Sequence, residues 1–207
     1  MIICNKCLFV HISRTGGTSV REVMSRDLPC WIVGQTGKAI TRRNLVDPHT
    51  VPNGKLQQVL GDSLEELWKF TIIRNPWDRF VSWFIRQKGG QSFAKFMDHV
   101  FDEGSEISLQ SNYFEIPDWF DYVLRLENLE LDWSVVQSRV GLAKTSKPLH
   151  LNKSRLHHHY SVYYRGLTSL RDRVREHEAR LLELFPYEFE DVEEQKVSNS
   201  KHSSQAV

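Results

Sequence analysis

Apolar residues fall along this chain in two rhythms. Leu8-Phe9-Val10-His11-Ile12 and Phe70-Thr71-Ile72-Ile73 are short, unbroken and rich in β-branched or aromatic groups, the signature of buried strands. Asp121 to Leu126 reads as a third strand and Trp31 to Val33 as a smaller one. Elsewhere the spacing changes to three and four. Val20, Val23 and Met24 predict a helix, with Thr18 or Ser19 placed to cap it. Pro76 suits the first position of a helix running through Arg86. Ser92 to Phe101 places Phe93, Phe96, Met97, Val100 and Phe101 on one face, and Asn128 to Val140 is expected to turn Leu131, Val135 and Val136 inward. Leu167, Leu170, Val174, Leu181, Leu184 and Phe185 predict one long amphipathic helix. Alternation of strand and helix implies an α/β fold with a mostly parallel central sheet flanked by helices.

Gly34 to Lys55 shows no period and reads as a long irregular connection, a kind of segment that often carries function. Beyond Phe189 the chain turns acidic and then Ser-rich, so residues 1–190 are expected to form a single domain and 191–207 a flexible polar tail. No internal repeat is evident.

Charge changes the picture by what it excludes. With 27 Lys and Arg against 26 Asp and Glu, the net charge of +1 gives no general attraction to nucleic acid or acidic membranes, so an anion site must be built locally. No apolar run approaches the roughly eighteen residues of a membrane span, and the first residues lack the pattern of a secretory signal. A cytoplasmic protein without a membrane anchor is the expectation. The three cysteines are then expected to remain thiols, and Cys4-x-x-Cys7, with no second pair, reads as a strand edge rather than a metal site.

Two stretches carry chemistry. In Ser13-Arg14-Thr15-Gly16-Gly17-Thr18-Ser19, two glycines let backbone N–H groups turn toward an anion while the next helix presents its positive end. No lysine follows the second glycine, so this is not the loop of ordinary ATP or GTP enzymes. Taken alone, it is also compatible with a strand-to-helix turn that binds nothing. The second stretch is Arg74-Asn75-Pro76-Trp77-Asp78-Arg79-Phe80-Val81-Ser82. Its Arg74 supplies a guanidinium suited to bidentate phosphate binding, and Ser82 lies two helical turns on. Asp78 and Arg79 are expected to fix the turn by local pairing.

Together these stretches resemble the nucleotide-binding elements of PAPS-dependent sulfotransferases, particularly the carbohydrate sulfotransferase branch. The resemblance extends more weakly to Leu126-Glu127-Asn128-Leu129, Leu149-His150-Leu151-Asn152-Lys153-Ser154 and Tyr160-Ser161-Val162-Tyr163-Tyr164. It implies a P-loop-like α/β fold. It also implies PAPS as sulfuryl donor, PAP as product, no metal, and a hydroxyl-bearing acceptor, with a carbohydrate preferred. Carried over by position, it puts Arg14, Thr15, Gly16, Gly17, Thr18 and Ser19 around the 5′-phosphosulfate and Arg74 and Ser82 on the 3′-phosphate. Lys153 and Ser154 would cover the nucleotide or contact the acceptor. The family usually has lysine where this chain has Arg14, which keeps the charge but replaces a point charge by a planar fork.

Sulfuryl transfer parallels phosphoryl transfer, so Arg14 is the candidate for stabilising the leaving group, and a base of near-neutral pKa would take the acceptor's proton. His49, in Val46-Asp47-Pro48-His49-Thr50, is that candidate, because the related enzymes have a histidine in a similar place. His11 reads as a buried strand residue. His157-His158-His159 reads as a basic loop, since adjacent residues point apart and rarely close one coordination sphere. Two alternatives remain open: a P-loop-like kinase using ATP, and a PAP- or PAPS-binding protein without turnover.

Overall fold

The computed structural model describes residues 1–4, 7–33, 39–40, 61–87, 90–102, 108–148 and 159–191, with only the backbone for 31–33 and 39–40. The chain divides into two compact units, one formed by Met1–Arg74 with Ser108–Lys153 and the other by Asn75–Ile107 with Ser154–Val207.

The first unit holds the sheet. Its strands are β1 (Ile2–Cys4), β2 (Cys7–Val10), β3 (Cys30–Val33), β4 (Ala39–Ile40), β5 (Trp68–Ile73) and β6 (Tyr122–Arg125), in the spatial order β4-β3-β1-β2-β5-β6. β2, β5 and β6 are neighbours and parallel, while β1 is antiparallel to both β2 and β3, and β4 to β3. β2, β3, β5 and β6 therefore run one way, which is the mostly parallel sheet expected. β2 is buried along its whole length, as its unbroken apolar run requires.

Helix α1 (Gly17–Asp27) follows β2, and a single turn, α2 (Ser63–Glu66), precedes β5. In the second unit, α3 (Pro76–Gln87) follows directly on β5 and α4 (Phe93–Asp102) comes next. The chain returns to the first unit for α5 (Leu129–Val140). Val20, Val23 and Met24 of α1 and Leu129, Trp133, Val136 and Val140 of α5 share one core with Phe9, Phe70, Ile72 and Leu124 of the sheet.

The inward stripe of α5 corrects the sequence reading. Leu131 and Val135 are 76% and 42% exposed, and the buried positions are spaced by four, three and four. Two stripes compete on this helix. The one holding Trp133 goes inward because it buries the largest side chain and lets the indole N–H reach the Ser146 carbonyl at 2.7 Å.

Cys4 and Cys30 are opposite one another in the β1–β3 register and form a disulfide, with Cα atoms 4.2 Å apart. This corrects the expectation of three thiols. Cys7 remains a buried thiol, and burial pushes its pKa up to about 11. No helix among the described residues is long and apolar enough to cross a membrane.

In the second unit, α6 (Thr168–His177) and α7 (Ala179–Leu184) replace the single helix expected from Leu167 to Phe185. The change falls at Glu178 (φ −103°, ψ 23°), which is fully buried. Its carboxylate meets the guanidinium of Arg79 on α3 at 3.4 Å, and both side chains are 0% exposed. Arg79 thus pairs with a residue 99 positions away, because a buried charge needs a buried counter-charge. The ring of Phe189 packs edge-on against Trp77, Tyr160 and Tyr164, and Asp191 accepts from Arg171 at 3.1 Å.

Candidate nucleotide-binding site

Because β2, β5 and β6 are adjacent and parallel, the segments leaving their C-terminal ends line one edge of the sheet, where ligands of open α/β folds bind. β2 delivers Ser13 to Gly16 and then α1, β5 delivers Arg74, and β6 delivers Leu126.

The loop after β2 has an alternating backbone. Arg14 has φ +66° and Gly16 φ +87°, with Thr15 between them. Left-handed residues interleaved in this way turn successive N–H groups toward a common side, the geometry of an anion-binding nest. For Arg14 the conformation costs roughly 1 kcal/mol or more relative to glycine, so the rest of the loop has to hold it. Thr15 is fully buried and donates its hydroxyl to the Ile12 carbonyl at 2.8 Å. Ser19 N–H donates to the Gly16 carbonyl at 3.1 Å as α1 begins.

The two glycines are needed for different reasons. A Cβ on Gly16 would come 2.6 Å from Leu126 Cδ1, on a backbone conformation that already favours glycine. A Cβ on Gly17 would come 2.1 Å from His11 Cδ2 and 2.6 Å from its Nε2. His11 is 5% exposed and lies against Phe9, ring centroids 6.0 Å apart and planes 17° apart. It is buried as expected, but stands one residue past the end of β2, directly under the loop.

Arg74 directly follows β5, half-buried. Its Nη1 donates to the Arg14 carbonyl at 3.4 Å, so the two motifs meet within the first unit. Its main chain is held at both ends by Gln110. Arg74 N–H donates to Gln110 Oε1 at 3.0 Å, and Gln110 Nε2 donates to the Arg74 carbonyl at 2.9 Å. Gln110 belongs to no motif in the sequence reading, and no local pattern marks it.

Asn75 is the N-cap of α3. Its Oδ1 accepts from Trp77 N–H at 3.1 Å and Asp78 N–H at 3.3 Å. Its Nδ2 donates to the Glu188 carbonyl at 3.3 Å and to Tyr160 Oη at 3.4 Å. The asparagine before Pro76 was a readable helix-start signal. Tyr160 Oη also accepts from Glu190 N–H at 2.7 Å, and burial pushes this phenol up to about 12. Ser82 lies buried on α3. His159, the one described member of the histidine run, caps the short 3-10 turn Tyr160–Tyr164 by accepting from Ser161 N–H through Nδ1 at 3.4 Å. His49, Lys153 and Ser154 lie outside the described residues. Among the described residues, no group of three or more His, Cys, Asp or Glu could hold a metal ion.

No curated protein sequence matches the chain significantly. Among solved structures, mouse sulfotransferase SULT7A1 complexed with PAP is similar at a TM-score of 0.51 and 13% identity, over 87% of this chain and 88% of that one. The likeness shows the fold: this is the P-loop-like α/β architecture of a sulfotransferase. A model of the sulfotransferase family, Sulfotransfer_2, matches residues 4–191, and the chain belongs to that family.

Proposed function

We propose that the chain transfers a sulfuryl group from PAPS to an acceptor hydroxyl and releases PAP, with a carbohydrate as the acceptor class. The observation that carries the donor is the meeting of the nest at Arg14–Gly16 with Arg74 on one sheet edge. A nucleotide with phosphates at both ends of its ribose needs two such anion sites. The residues fit that group: a nest of amides and a helix N-terminus at one anion and a guanidinium at the other. PAPS supplies the sulfuryl group.

The chain's own residues bind and orient. The amides at Gly16, Gly17 and Thr18 hold the 5′ side, Ser19 being carried there by the motif resemblance, and Arg14 places positive charge where negative charge builds on departure. Thr15 holds the loop from beneath. Arg74 takes the 3′-phosphate. His49 accepts the acceptor's proton at an imidazole nitrogen. Ser82, Lys153 and Ser154 are carried by the motif resemblance, as is the carbohydrate preference. The 4–191 span of the family match supports treating residues 1–190 as one functional domain, with the polar tail beyond.

Titration with PAP, AMP and ATP in a chelator tests the donor. PAP is expected to bind at least ~10-fold more tightly than AMP, the lower end of what charge-assisted hydrogen bonds supply. Arg74→Ala should remove that preference. Equal affinities in the wild-type protein would refute the donor assignment. In the same assay His49→Ala should leave PAP affinity unchanged and slow transfer, and an unchanged turnover would remove it as base.

The cytoplasmic expectation loses one support, since disulfides persist chiefly in oxidising compartments. We therefore place the protein, in its working state, where Cys4 and Cys30 stay joined. Alkylating the protein as it leaves the cell should label Cys7 alone after denaturation. Labelling of all three cysteines would return it to the cytoplasm.

A further inference from the structure

We propose that Gln110 is a positioning residue that sets the reach of Arg74 and thereby the protein's selectivity for a 3′-phosphorylated nucleotide. This rests on the donor-site reading above.

Arg74 is the first residue after β5, on the two-residue link to α3. Within β5 a ladder to β2 and β6 fixes each backbone group, but the registers end at Ile73↔Arg125 and Thr71↔Val10. Arg74 therefore stands just past the sheet, where an arginine of four side-chain torsions would inherit any movement of its own main chain. The primary amide of Gln110 takes over there. One side chain accepts from the Arg74 N–H at 3.0 Å and donates to its C=O at 2.9 Å, the two-point pattern a neighbouring strand would offer.

Gln110 is itself fixed. It is 0% exposed, and its carbonyl accepts from Tyr113 N–H at 3.0 Å as the 3-10 turn Ser111–Phe114 begins on buried Tyr113 and Phe114. The base of Arg74 is held by Gln110, and its guanidinium rests on the Arg14 carbonyl. The head group is thus set beside the anion loop before a ligand arrives. Pre-set donors lose little freedom on binding.

Only glutamine, among uncharged side chains of this length, offers one acceptor and one donor at a single planar terminus. Gln110→Leu keeps much of the volume and removes both bonds. Gln110→Glu keeps the shape and the acceptor facing Arg74 N–H, but sets a second carboxylate oxygen against the Arg74 carbonyl until the carboxyl is protonated. Protonated, it again donates and accepts.

The test is the ratio of PAP to AMP affinity, measured with melting temperature for wild type, Arg74→Ala, Gln110→Leu and Gln110→Glu. Wild type should prefer PAP, and Arg74→Ala should abolish the preference. Gln110→Leu should lose most of it, about 5-fold or more, with AMP affinity within about 2-fold of wild type, because a lost charged-group hydrogen bond is of that order. Gln110→Glu should show the same loss at neutral pH and regain its preference, relative to wild type at the same pH, as the carboxyl is protonated.

A wild-type protein without PAP preference, or one indifferent to Arg74→Ala, would end the donor-site reading and this inference with it. If both controls behave and the Gln110 variants keep the wild-type ratio, the inference alone is overturned. Equal weakening of PAP and AMP with a lower melting temperature would also overturn it, since a purely structural residue behaves that way. Should Gln110→Leu not fold, the pH response of Gln110→Glu decides.

Discussion

Glu178→Ala is expected to destabilise the protein by about 3–5 kcal/mol, the largest loss from any single substitution considered, because it removes a buried carboxylate from the buried Arg79 guanidinium. Both side chains are 0% exposed. Arg79 also lies over the Trp83 ring at 5.3 Å, which adds a favourable contact but no negative charge. Replacing both partners by apolar residues, Arg79→Met with Glu178→Leu, should recover most of the loss, since the desolvation of two ions disappears with the pair. Denaturant unfolding of the single and double variants measures this coupling. A cost for Glu178→Ala below about 1 kcal/mol, the range of an exposed pair, would mean that the charges are solvated in solution.

Gly17→Ala should abolish most nucleotide binding through one methyl group. The new Cβ would meet the His11 ring at 2.1 Å, and that ring is confined by burial and by Phe9. Either the ring leaves its place beneath the loop or the start of α1 moves, and both disturb the amides that face the anion. Overpacking of this kind costs about 1–3 kcal/mol, which corresponds to roughly 5- to 150-fold in affinity if the loop bears it. Adding His11→Ala to Gly17→Ala removes the collision and should restore part of the binding. Glu22→Ala, at an exposed position of the same helix, is the control for ordinary effects. Wild-type PAP affinity in Gly17→Ala would show that the ring or the loop yields freely, and the rigid cradle would be wrong.

The contrast between these two sites shows what was legible in the sequence. The loop Ser13–Ser19 and the stretch from Arg74 to Ser82 could be read directly because their geometry follows from neighbours in the chain: glycines that permit a left-handed turn, asparagine and proline that start a helix, an apolar run that makes a strand. The strands at Cys7–Val10, Trp68–Ile73 and Tyr122–Arg125 and the buried faces of α1 and α4 were legible for the same reason. Periods of two and of 3.6 are local properties of the backbone.

Where two local patterns competed, sequence alone did not choose. On α5 both Leu131–Val135 and Leu129–Trp133–Val136–Val140 form helical stripes, and burial of the indole selected the second. Cys4 and Cys30 looked like unrelated thiols until the β1–β3 register put them opposite each other.

The partners that hold these segments lie further off. Gln110 reaches Arg74 across 36 positions, Arg74 reaches Arg14 across 60, and Glu178 reaches Arg79 across 99. Nothing in the flanking residues of Gln110 or Glu178 sets them apart from a surface glutamine or a helix-face glutamate. The sequence by itself determined which segments can bind a phosphate, since that capacity lies in the conformational freedom and charge of consecutive residues. Only the tertiary structure decided which side chains hold those segments in place, because a hydrogen bond or ion pair between distant residues exists only once folding has brought them within about 3 Å and removed the competing water.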